Sequence, residues 1–348
     1  LCEFHPQTRL DGKSLDIFNS PVSDYAKRMV FFIGLAEAVS YWKCACPPVF
    51  RVECGEMSED DKAFFKKLWF NGLGEFFYRN GIKTDIGSFV SIDAPEPKNI
   101  PQCEDYVSSG IEIVPVGGGK DSAVTTELLR PFGDKLRFFT VNDQPARTQC
   151  VLAGGYSEDK IIKIYRTIDP ELLKRNAEGF LNGHTPFSSV VAFISMYAGF
   201  IEGANDVILS NESSANESNI GGESVNHQYS KSFEFERDFD EFRRRNFPQS
   251  AVYFSLLRPF CELQIAKQFS QYKQYHPIFR SCNRGSKKNI WCCECPKCLF
   301  VAIMLSPFLP PDELSSIFGC DMLAKTELET DFDGLCGFTG LKPFECVG

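Results

Sequence analysis

The fold of this chain is decided by the stretch Ile111-Glu-Ile-Val-Pro-Val-Gly-Gly-Gly-Lys-Asp-Ser-Ala-Val-Thr-Thr-Glu-Leu-Leu129, an apolar run followed by three glycines and a pattern typical of a helix. We expect a strand, a tight turn and a helix in that order. Gly117 to Gly119 have no Cβ, so their amide groups can converge on an anion at the positive end of the helix. Asp121 and Ser122 fall in the first helical turn, where both residue types are also ordinary caps. The stretch therefore predicts a phosphate-binding turn or a plain strand–helix turn. The spacing of a Walker A loop is absent.

Apolar segments on the C-terminal side extend this pattern. A strand at 136–141 follows the first helix, and a strand, a helix and a strand within about thirty residues form a βαβ unit with a parallel sheet. A helix at 149–154, a strand at 160–165, a helix ending near 201 and a strand at 206–210 continue the alternation. The sequence thus predicts an α/β fold, a parallel twisted sheet with flanking helices.

The first hundred residues carry a weaker, mixed pattern. Apolar periodicity predicts helices at 21–43 and 58–78, the second with Ser58 and Asp61 spaced as an N-terminal cap. The proline-rich segment 94–101 is typical of a linker. The domains we expect are a smaller mixed α+β domain, 1–101, and a nucleotide-binding domain, 102–348.

Composition limits the class of protein. The chain has 348 residues, 43% of them hydrophobic, and a formal net charge of −9. The acidic balance argues against a nucleic-acid partner and favours a small-molecule or peptide substrate. No apolar run is long enough to span a bilayer, so no membrane partner is expected. Fifteen cysteines in so long a chain favour a reducing compartment, with a cytoplasmic location as the default. Because the chain starts at Leu1 rather than at methionine, we expect a fragment or a processed form.

Two polar segments are candidates for ligand contact. In the segment 180–189, His184 stands before Thr185 and Pro186, which are spaced as an N-cap and a first helical residue. This segment could equally be a capping loop with an incidental histidine. The segment 211–236 leaves a predicted strand at the edge where open α/β sheets bind ligands. It could be a disordered insert, but its side chains suit binding and it returns at once to a core-like pattern.

Four cysteines form a candidate metal site in the segment 282–298. Cys295 and Cys298 have the two-residue gap of a zinc knuckle, and Cys282 and Cys292 complete a possible four-thiolate site, with Cys293 as a spare. The alternatives are buried free thiols and a catalytic thiol.

The glycine stretch resembles the PP-loop of the ATP pyrophosphatase families, Ser-Gly-Gly-x-Asp-Ser, which cut ATP into AMP and pyrophosphate. Gly118, Gly119, Asp121 and Ser122 match that pattern, whereas Gly117 stands where the families usually have serine. The difference removes one hydroxyl from the phosphate cradle and keeps its backbone donors. The resemblance implies a PP-loop or HUP-like nucleotide-binding core.

Longer strings resemble the MurL family, the UDP-N-acetylmuramoyl-L-alanyl-L-glutamate epimerases of bacterial cell-wall synthesis. These strings are Ser210-Asn-Glu-Ser-Ser-Ala-Asn216, Val225-Asn-His-Gln-Tyr-Ser-Lys-Ser-Phe-Glu-Phe-Glu236, Arg258-Pro-Phe260 and Trp291-Cys-Cys-Glu-Cys-Pro-Lys-Cys-Leu-Phe300. With the glycine stretch and His184 they cover roughly residues 110–310. The resemblance implies an ATP-dependent, AMP-forming epimerase that inverts the terminal L-glutamate of a UDP-linked peptide during peptidoglycan precursor synthesis.

Such an activity implies roles for particular residues. For proton transfer we expect His184 and His227, since imidazole titrates near neutral pH, with Lys231 and Glu212 as further catalytic residues. The resemblance also implies that Asn142, at the end of the strand 136–141, lies near the adenine of ATP.

The charged side chains are expected to hold magnesium and anions. Asp121 and Glu212 are the expected Mg²⁺ ligands, and Lys120 is expected to neutralise phosphate. Those expected to bind substrate are Asn211, Asn226 and Arg258.

Two other functions remain open. The cysteine spacing also resembles that of the 7-cyano-7-deazaguanine synthases, so an ATP-dependent nucleobase or tRNA-modifying enzyme is the alternative, although the acidic balance weighs against tRNA. A nucleotide-binding module without catalysis is the third.

Overall fold

The computed structural model describes residues 2–10, 23–103, 106–221, 225–345 and 347. The strands in these residues are β1 (Gln7–Leu10), β2 (Val49–Arg51), β3 (Ser91–Asp93), β4 (Ile111–Pro115), β5 (Leu136–Val141), β6 (Ile161–Thr167), β7 (Ala204–Leu209) and β8 (Val252–Ser255). The α-helices are α1 (Ser23–Trp42), α2 (Glu59–Gly72), α3 (Gly74–Arg79), α4 (Lys120–Leu128), α5 (Pro145–Ala153), α6 (Pro170–Ala177), α7 (Phe187–Glu202), α8 (Phe233–Asn246), α9 (Glu262–Phe269), α10 (Pro296–Leu305), α11 (Pro311–Phe318) and α12 (Glu329–Leu335). No described helix is both long enough and apolar enough to cross a membrane.

Six of the strands form one sheet in the order β1-β6-β5-β4-β7-β8. β4 and β5 run parallel, with Glu112 opposite Leu136, while β1 runs antiparallel to β6 at the edge. β2 and β3 form a separate parallel pair. The predicted α/β class, with a mostly parallel sheet and flanking helices, is confirmed. The PP-loop or HUP-like character of the core stays a prediction.

The chain divides into two compact units. Unit 1 comprises Leu1–Ile111, Ile164–Val207 and Val225–Tyr253. Unit 2 comprises Glu112–Lys163, Ile208–Ser224 and Phe254–Gly348. The predicted domain boundary at residue 101 stays a prediction.

Each unit has its own apolar core. In unit 1, Phe32 stacks on Phe65 with ring centroids 5.7 Å apart, and it meets Phe242 edge-on at 4.8 Å. All three rings are fully buried, and such ring pairs add to the free energy gained by burial alone. In unit 2, Phe138 of β5 and Leu305 of α10 belong to a core that also contains the cysteines of the segment 282–298.

Several helix boundaries differ from those predicted. The predicted helix at 58–78 is two helices, α2 and α3, because Gly72 and Gly74 flank the break at Leu73 and glycine is a poor helix former. A Cβ at Gly72 would lie 2.6 Å from Pro186, so the packing requires glycine there.

The start of α7 is also corrected. Thr185 does not cap it: Pro186 occupies the N-cap position, without a side-chain cap, and the helix begins at Phe187. The Phe187 amide donates to the Thr185 carbonyl at 2.7 Å, and this tight turn leaves Thr185 outside the helix. α5 begins at Pro145 rather than at 149, since proline suits a first helical turn. α1 begins at Ser23, and the first two residues of the helix predicted at 21–43 lie outside the described residues.

The predicted cap of α2 is confirmed and joins a buried network in unit 1. The Asp61 amide donates to Ser58 Oγ at 3.2 Å, and the Ser58 amide donates to Asp61 Oδ2 at 3.1 Å. Arg28 Nη2 donates to Asp61 Oδ2 at 3.3 Å and to Asn246 Oδ1 at 2.6 Å. The side chains of Arg28 and Asp61 are only 8% and 1% exposed.

We expect Arg28→Met to lower the free energy of unfolding by about 3–5 kcal/mol, because the buried Asp61 carboxylate loses its partner charge. Arg51→Met is the control: the Arg51–Asp93 pair is exposed, and its loss should cost less than about 1 kcal/mol. Urea unfolding measures both values. Equal losses would contradict a role for the buried network.

Candidate functional site

The glycine turn lies between β4 and α4 in unit 2. Gly118 has φ +82°, and a Cβ there would lie 3.1 Å from backbone atoms of Ala146 and Arg147, so this position requires glycine. A Cβ at Gly117 meets nothing within 4 Å, so the site has room for the serine of the PP-loop pattern. α4 begins at Lys120 directly after the turn, as predicted.

The first residues of α4 are held by the turn and by acidic side chains. Ser122 Oγ donates to the Gly119 carbonyl at 3.1 Å. The Lys120 ammonium is buried and forms ion pairs with Asp121, at 2.5 Å, and with Glu262. Burial lowers the pKa of Lys120, but the two carboxylates outweigh burial and leave that pKa raised. Lys120 is therefore charged, and its buried ammonium holds the carboxylates of Asp121 and Glu262 in place.

Three carboxylates meet beside the turn. Oxygen atoms of Asp121, Glu212 and Glu262 all lie within 4.8 Å of one another, a grouping that could hold a metal ion. Asp121 follows β4, Glu212 follows β7, and Glu262 begins α9 after β8. Sequence reasoning missed Glu262, although its place just after the string Arg258-Pro-Phe260 was a usable signal.

Negative charge in this cluster is incompletely balanced. Burial raises the pKa of the Glu262 carboxyl, and repulsion from Asp121 and Glu212 adds to the rise. Attraction to Lys120 and Lys297 opposes it without cancelling it. A divalent cation, which prefers oxygen ligands, would supply the missing positive charge.

Polar contacts fix the loop after β7. Arg258 Nη1 donates to the Glu212 carbonyl at 2.8 Å, and Asn211 Nδ2 donates to Ser255 Oγ at 3.0 Å. Glu212 Oε1 in turn accepts a hydrogen bond from Ser214 Oγ at 2.9 Å. The structure therefore brings the predicted residues 211, 212 and 258 together in unit 2.

Asn142 follows β5 in the same unit. Its backbone is left-handed, with φ +54°, and its carbonyl accepts a hydrogen bond from Arg147 Nη1 at 2.8 Å. The peptide bond between Ala146 and Arg147 packs against Gly118. Arg147 therefore contacts both the end of β5 and the glycine turn.

Unit 1 contains the two predicted histidines. The rings of His184 and His227 have centroids 4.0 Å apart, and His227 Nδ1 lies 2.5 Å from Glu75 Oε2. Glu75 Oε1 accepts a second hydrogen bond, from Arg79 Nε. Sequence reasoning missed Glu75, which lies in a helix that carried no chemical signal.

The side chains of Glu75, His184 and His227 could also hold a metal ion. However, the carboxylate and the His227 Nδ1 atom already form a hydrogen bond with each other. An imidazole that is hydrogen-bonded to a carboxylate is an arrangement suited to proton transfer. A neutral His227 that donates from Nδ1 to this carboxylate would have its Nε2 lone pair available.

The His184 ring is uncharged at neutral pH. Burial lowers its pKa to about 3, His227 and Lys231 add to the lowering, and Glu75 opposes it. For Glu75 itself, burial raises the pKa, but hydrogen bonds from His227 and Arg79 leave it lowered. The sequence analysis expected His184 to titrate near neutral pH, but this site lowers its pKa well below that range.

The other two predicted residues of this unit lie close by. Lys231 Nζ donates to Gln228 Oε1 at 3.4 Å, and the Gln228 amide donates to Asn226 Oδ1 at 2.7 Å. The short turn Asn226–Lys231 thus places His227 between two of the predicted side chains.

The low pKa of His184 predicts a pH dependence of stability. Its folded-state pKa, about 3, lies below the ordinary 6.5, so between these values the unfolded chain binds one proton more than the folded chain. The free energy of unfolding should therefore decrease as the pH is lowered through this window, by up to about 1.4 kcal/mol per pH unit. In His184→Gln this contribution is absent. Urea unfolding of both proteins between pH 7 and about 4.5 should therefore give a steeper loss for the wild type. Parallel curves would contradict a half-buried His184 that stays neutral in the folded protein.

The four cysteines of the segment 282–298 also meet in unit 2. The Sγ atoms of Cys282, Cys292, Cys295 and Cys298 lie within 4.8 Å of one another. Hydrogen bonding to Cys298 lowers the pKa of the Cys295 thiol. Cys293 lies apart from the group, with Sγ 3.3 Å from the Phe318 carbonyl.

Comparison with protein families gives two matches, which are separated by residues 257–277. Residues 3–256 match the family described as MurL N-terminal domain, and residues 278–348 match the MurL C-terminal domain.

Three curated relatives are each named UDP-N-acetyl-alpha-D-muramoyl-L-alanyl-L-glutamate epimerase. The protein of Xanthomonas oryzae pv. oryzae is 35% identical over 324 residues, which are 91% of this chain and 70% of the relative. That of a Micromonospora species is 34% identical over 328 residues, 92% of this chain and 72% of the relative. That of Salinispora tropica is 33% identical over 327 residues, 92% of this chain and 70% of the relative.

Proposed function

Because the chain belongs to the MurL family, we propose that it is an ATP-dependent epimerase that inverts the terminal glutamate of UDP-N-acetyl-α-D-muramoyl-L-alanyl-L-glutamate. The observation that carries the proposal is the identity of 33–35% to three epimerases over more than nine-tenths of the chain. The product would be the D-glutamate form of a peptidoglycan precursor.

The chemistry needs two kinds of group. The α-proton of a C-terminal glutamate is very weakly acidic, because the neighbouring carboxylate is ionised. The carboxylate must first be neutralised, and a base must then remove the proton and a proton must return to the opposite face. Activation and proton transfer thus call for different side chains.

Unit 2 supplies the groups suited to activation. The glycine turn, with its required Gly118, fits a phosphate cradle. The carboxylates of Asp121, Glu212 and Glu262 fit Mg²⁺, and the Lys120 ammonium neutralises part of their negative charge. When bound there, ATP and Mg²⁺ would supply adenylation of the substrate carboxylate with release of pyrophosphate, and water would then hydrolyse the resulting anhydride to release AMP and restore the carboxylate. Lys120 orients two of the carboxylates, and Arg258 holds the backbone of the third.

Unit 1 supplies the groups suited to proton transfer. Glu75 stabilises positive charge on His227, so His227 Nε2 is the base that we assign, with neutral His184 beside it as a relay. Ring centroids 4.0 Å apart leave no room for a substrate carbon between the rings. The two imidazoles therefore serve one face of that carbon, and another group or water serves the other.

Glu75 acts as a positioning residue in this proposal. Glu75→Gln keeps the shape of the side chain and removes its charge, so we expect kcat for inversion to fall by about 10²-fold or more while KM changes little. Glu75→Asp should recover part of the activity. The exposed Glu241 of unit 1 provides the matched control, Glu241→Gln, which should keep full activity. A loss confined to thermal stability, with kcat unchanged, would contradict the role of Glu75.

The function itself is tested by incubating the protein with the UDP-linked dipeptide, with and without ATP and Mg²⁺, and determining the configuration of glutamate after acid hydrolysis. D-Glutamate formed only with ATP supports the proposal. Retention of L-glutamate with a folded protein would overturn it.

A further inference from the structure

We propose that Cys282, Cys292, Cys295 and Cys298 bind one structural zinc ion, and that this ion anchors the segment that supports the glycine turn. Zinc binding is independent of the proposed epimerase activity, which assigns no role to these thiols.

The sulfur geometry fits a single tetrahedral ion. Sγ–Sγ distances are 3.5 Å for Cys295–Cys298, 3.8 Å for Cys292–Cys298 and 3.9 Å for Cys282–Cys295. Four thiolates at about 2.3 Å from zinc form a tetrahedron with edges of about 3.8 Å. The four side chains are thus already arranged as zinc ligands.

Backbone amides point at the sulfurs as they would at thiolates. The Gly285 and Cys292 amides donate to Cys282 Sγ at 3.1 and 3.4 Å, and the Glu294 amide donates to Cys292 Sγ at 3.4 Å. Such donors stabilise negative charge on sulfur. This is the environment of a metal site rather than of thiols that merely fill a core.

Two other buried cysteines of unit 2 show what a structural thiol looks like in this protein. Cys293 and Cys150 each lie apart from the four, and their thiols are within reach of carbonyl oxygens, those of Phe318 at 3.3 Å and Gly118 at 3.6 Å. Cys293 directly follows the proposed ligand Cys292 and lies two residues before Cys295, yet its side chain leaves the cluster. The grouping of the four is therefore not a consequence of sequence proximity alone.

The donor set and spacing restrict the metal. An all-thiolate tetrahedral site binds zinc or iron. The spacing of Cys292, Cys295 and Cys298 also occurs in proteins with [4Fe–4S] clusters. In such a cluster each thiolate binds a different iron atom, so the sulfurs are spread around the cube. Distances of 3.5–3.9 Å fit ligands that share one ion.

The site connects a loop, a helix and the glycine turn within unit 2. Cys295 is the N-cap of α10 and Cys298 lies in its first turn. Two residues before Cys282, the Arg280 amide donates to the Gly118 carbonyl at 2.8 Å. Ser281 Cβ lies 3.4 Å from where a Cβ on Gly119 would be. An ion that joins Cys282 to α10 would therefore hold this segment against the turn.

Metal analysis of the purified protein tests the proposal. We expect one zinc per chain by mass spectrometry, no visible absorption, and four sulfur ligands at about 2.3 Å by zinc X-ray absorption. Cys295→Ser should lower the zinc content about tenfold or more and lower the melting temperature. Cys293→Ser, in the same segment, should keep its zinc.

Several outcomes would overturn the proposal. These are a folded wild type with no zinc after expression in zinc-supplemented medium, iron with sulfide in its place, nitrogen or oxygen ligands to the zinc, or equal zinc in Cys295→Ser and wild type. If Cys295→Ser does not fold, a mercurial titration of the wild type gives the answer, since blocking the thiols should release one zinc per chain. A protein that binds zinc but does not invert glutamate would refute the epimerase proposal and leave the zinc site intact.

Discussion

Asp121→Asn is expected to lower the rate of AMP and pyrophosphate formation by at least about 10²-fold, and D-glutamate formation with it. The substitution removes one of three carboxylates that meet within 4.8 Å, and it also removes a partner of the buried Lys120. Both effects weaken the group that we assign to Mg²⁺ and phosphate. Pyrophosphate release in the presence of substrate measures the change.

The control for this variant is Glu217→Gln. Glu217 lies five residues after Glu212, but its carboxylate is largely exposed and pairs with Lys342 at 2.8 Å. Full activity of this control and loss of activity in Asp121→Asn would support the assignment. Unchanged AMP formation in folded Asp121→Asn would contradict it.

His227→Asn is expected to separate the two halves of the reaction. Inversion should fall by about 10²–10⁴-fold, because the assigned base is lost, while AMP formation continues, because the activating groups are intact. The variant should also lose the exchange of the glutamate α-proton with deuterium from solvent. Mass spectrometry of the product in D₂O, together with AMP analysis, measures both effects.

A second histidine–glutamate pair provides the control for this variant. His276 Nδ1 lies 3.0 Å from Glu313 Oε1 in unit 2, and His276 is buried. His276→Asn should leave the ratio of D-glutamate to AMP unchanged, even if it lowers stability. If His227→Asn lowered AMP formation and inversion equally, the histidine pair would not be confined to proton transfer.

The sequence predicted best what local chemistry determines. The strand, turn and helix around Gly118 form as expected, because an apolar run, a glycine that requires φ +82° and a helical pattern act within about twenty residues. The four cysteines were predicted as a group for the same reason, since three of them lie within seven residues. The capping box of Ser58 and Asp61 is equally local.

Side chains that meet only through the tertiary fold were missed. Glu262 reaches Lys120 across 142 positions, and Glu75 reaches His227 across 152. No spacing rule connects such pairs. Glu75 also lies in a helix whose pattern is fully explained by its apolar face. The low pKa of His184 was unpredictable as well, because burial and a neighbouring ring cause it rather than any adjacent residue in the chain.

The break between α2 and α3 could have been anticipated. Two glycines within three residues weaken a helix, but the predicted helix ran across them because its apolar periodicity continued. The decisive contact, Gly72 against Pro186, is again a tertiary one.

The central claim is that one protein couples ATP cleavage to inversion of glutamate. It is tested most directly by following AMP and D-glutamate in a single reaction with the UDP-linked dipeptide, ATP and Mg²⁺. We expect both products to appear together, and neither to appear when ATP or the dipeptide is omitted. D-Glutamate without AMP, or AMP only when a nucleobase or tRNA replaces the dipeptide, would contradict the claim.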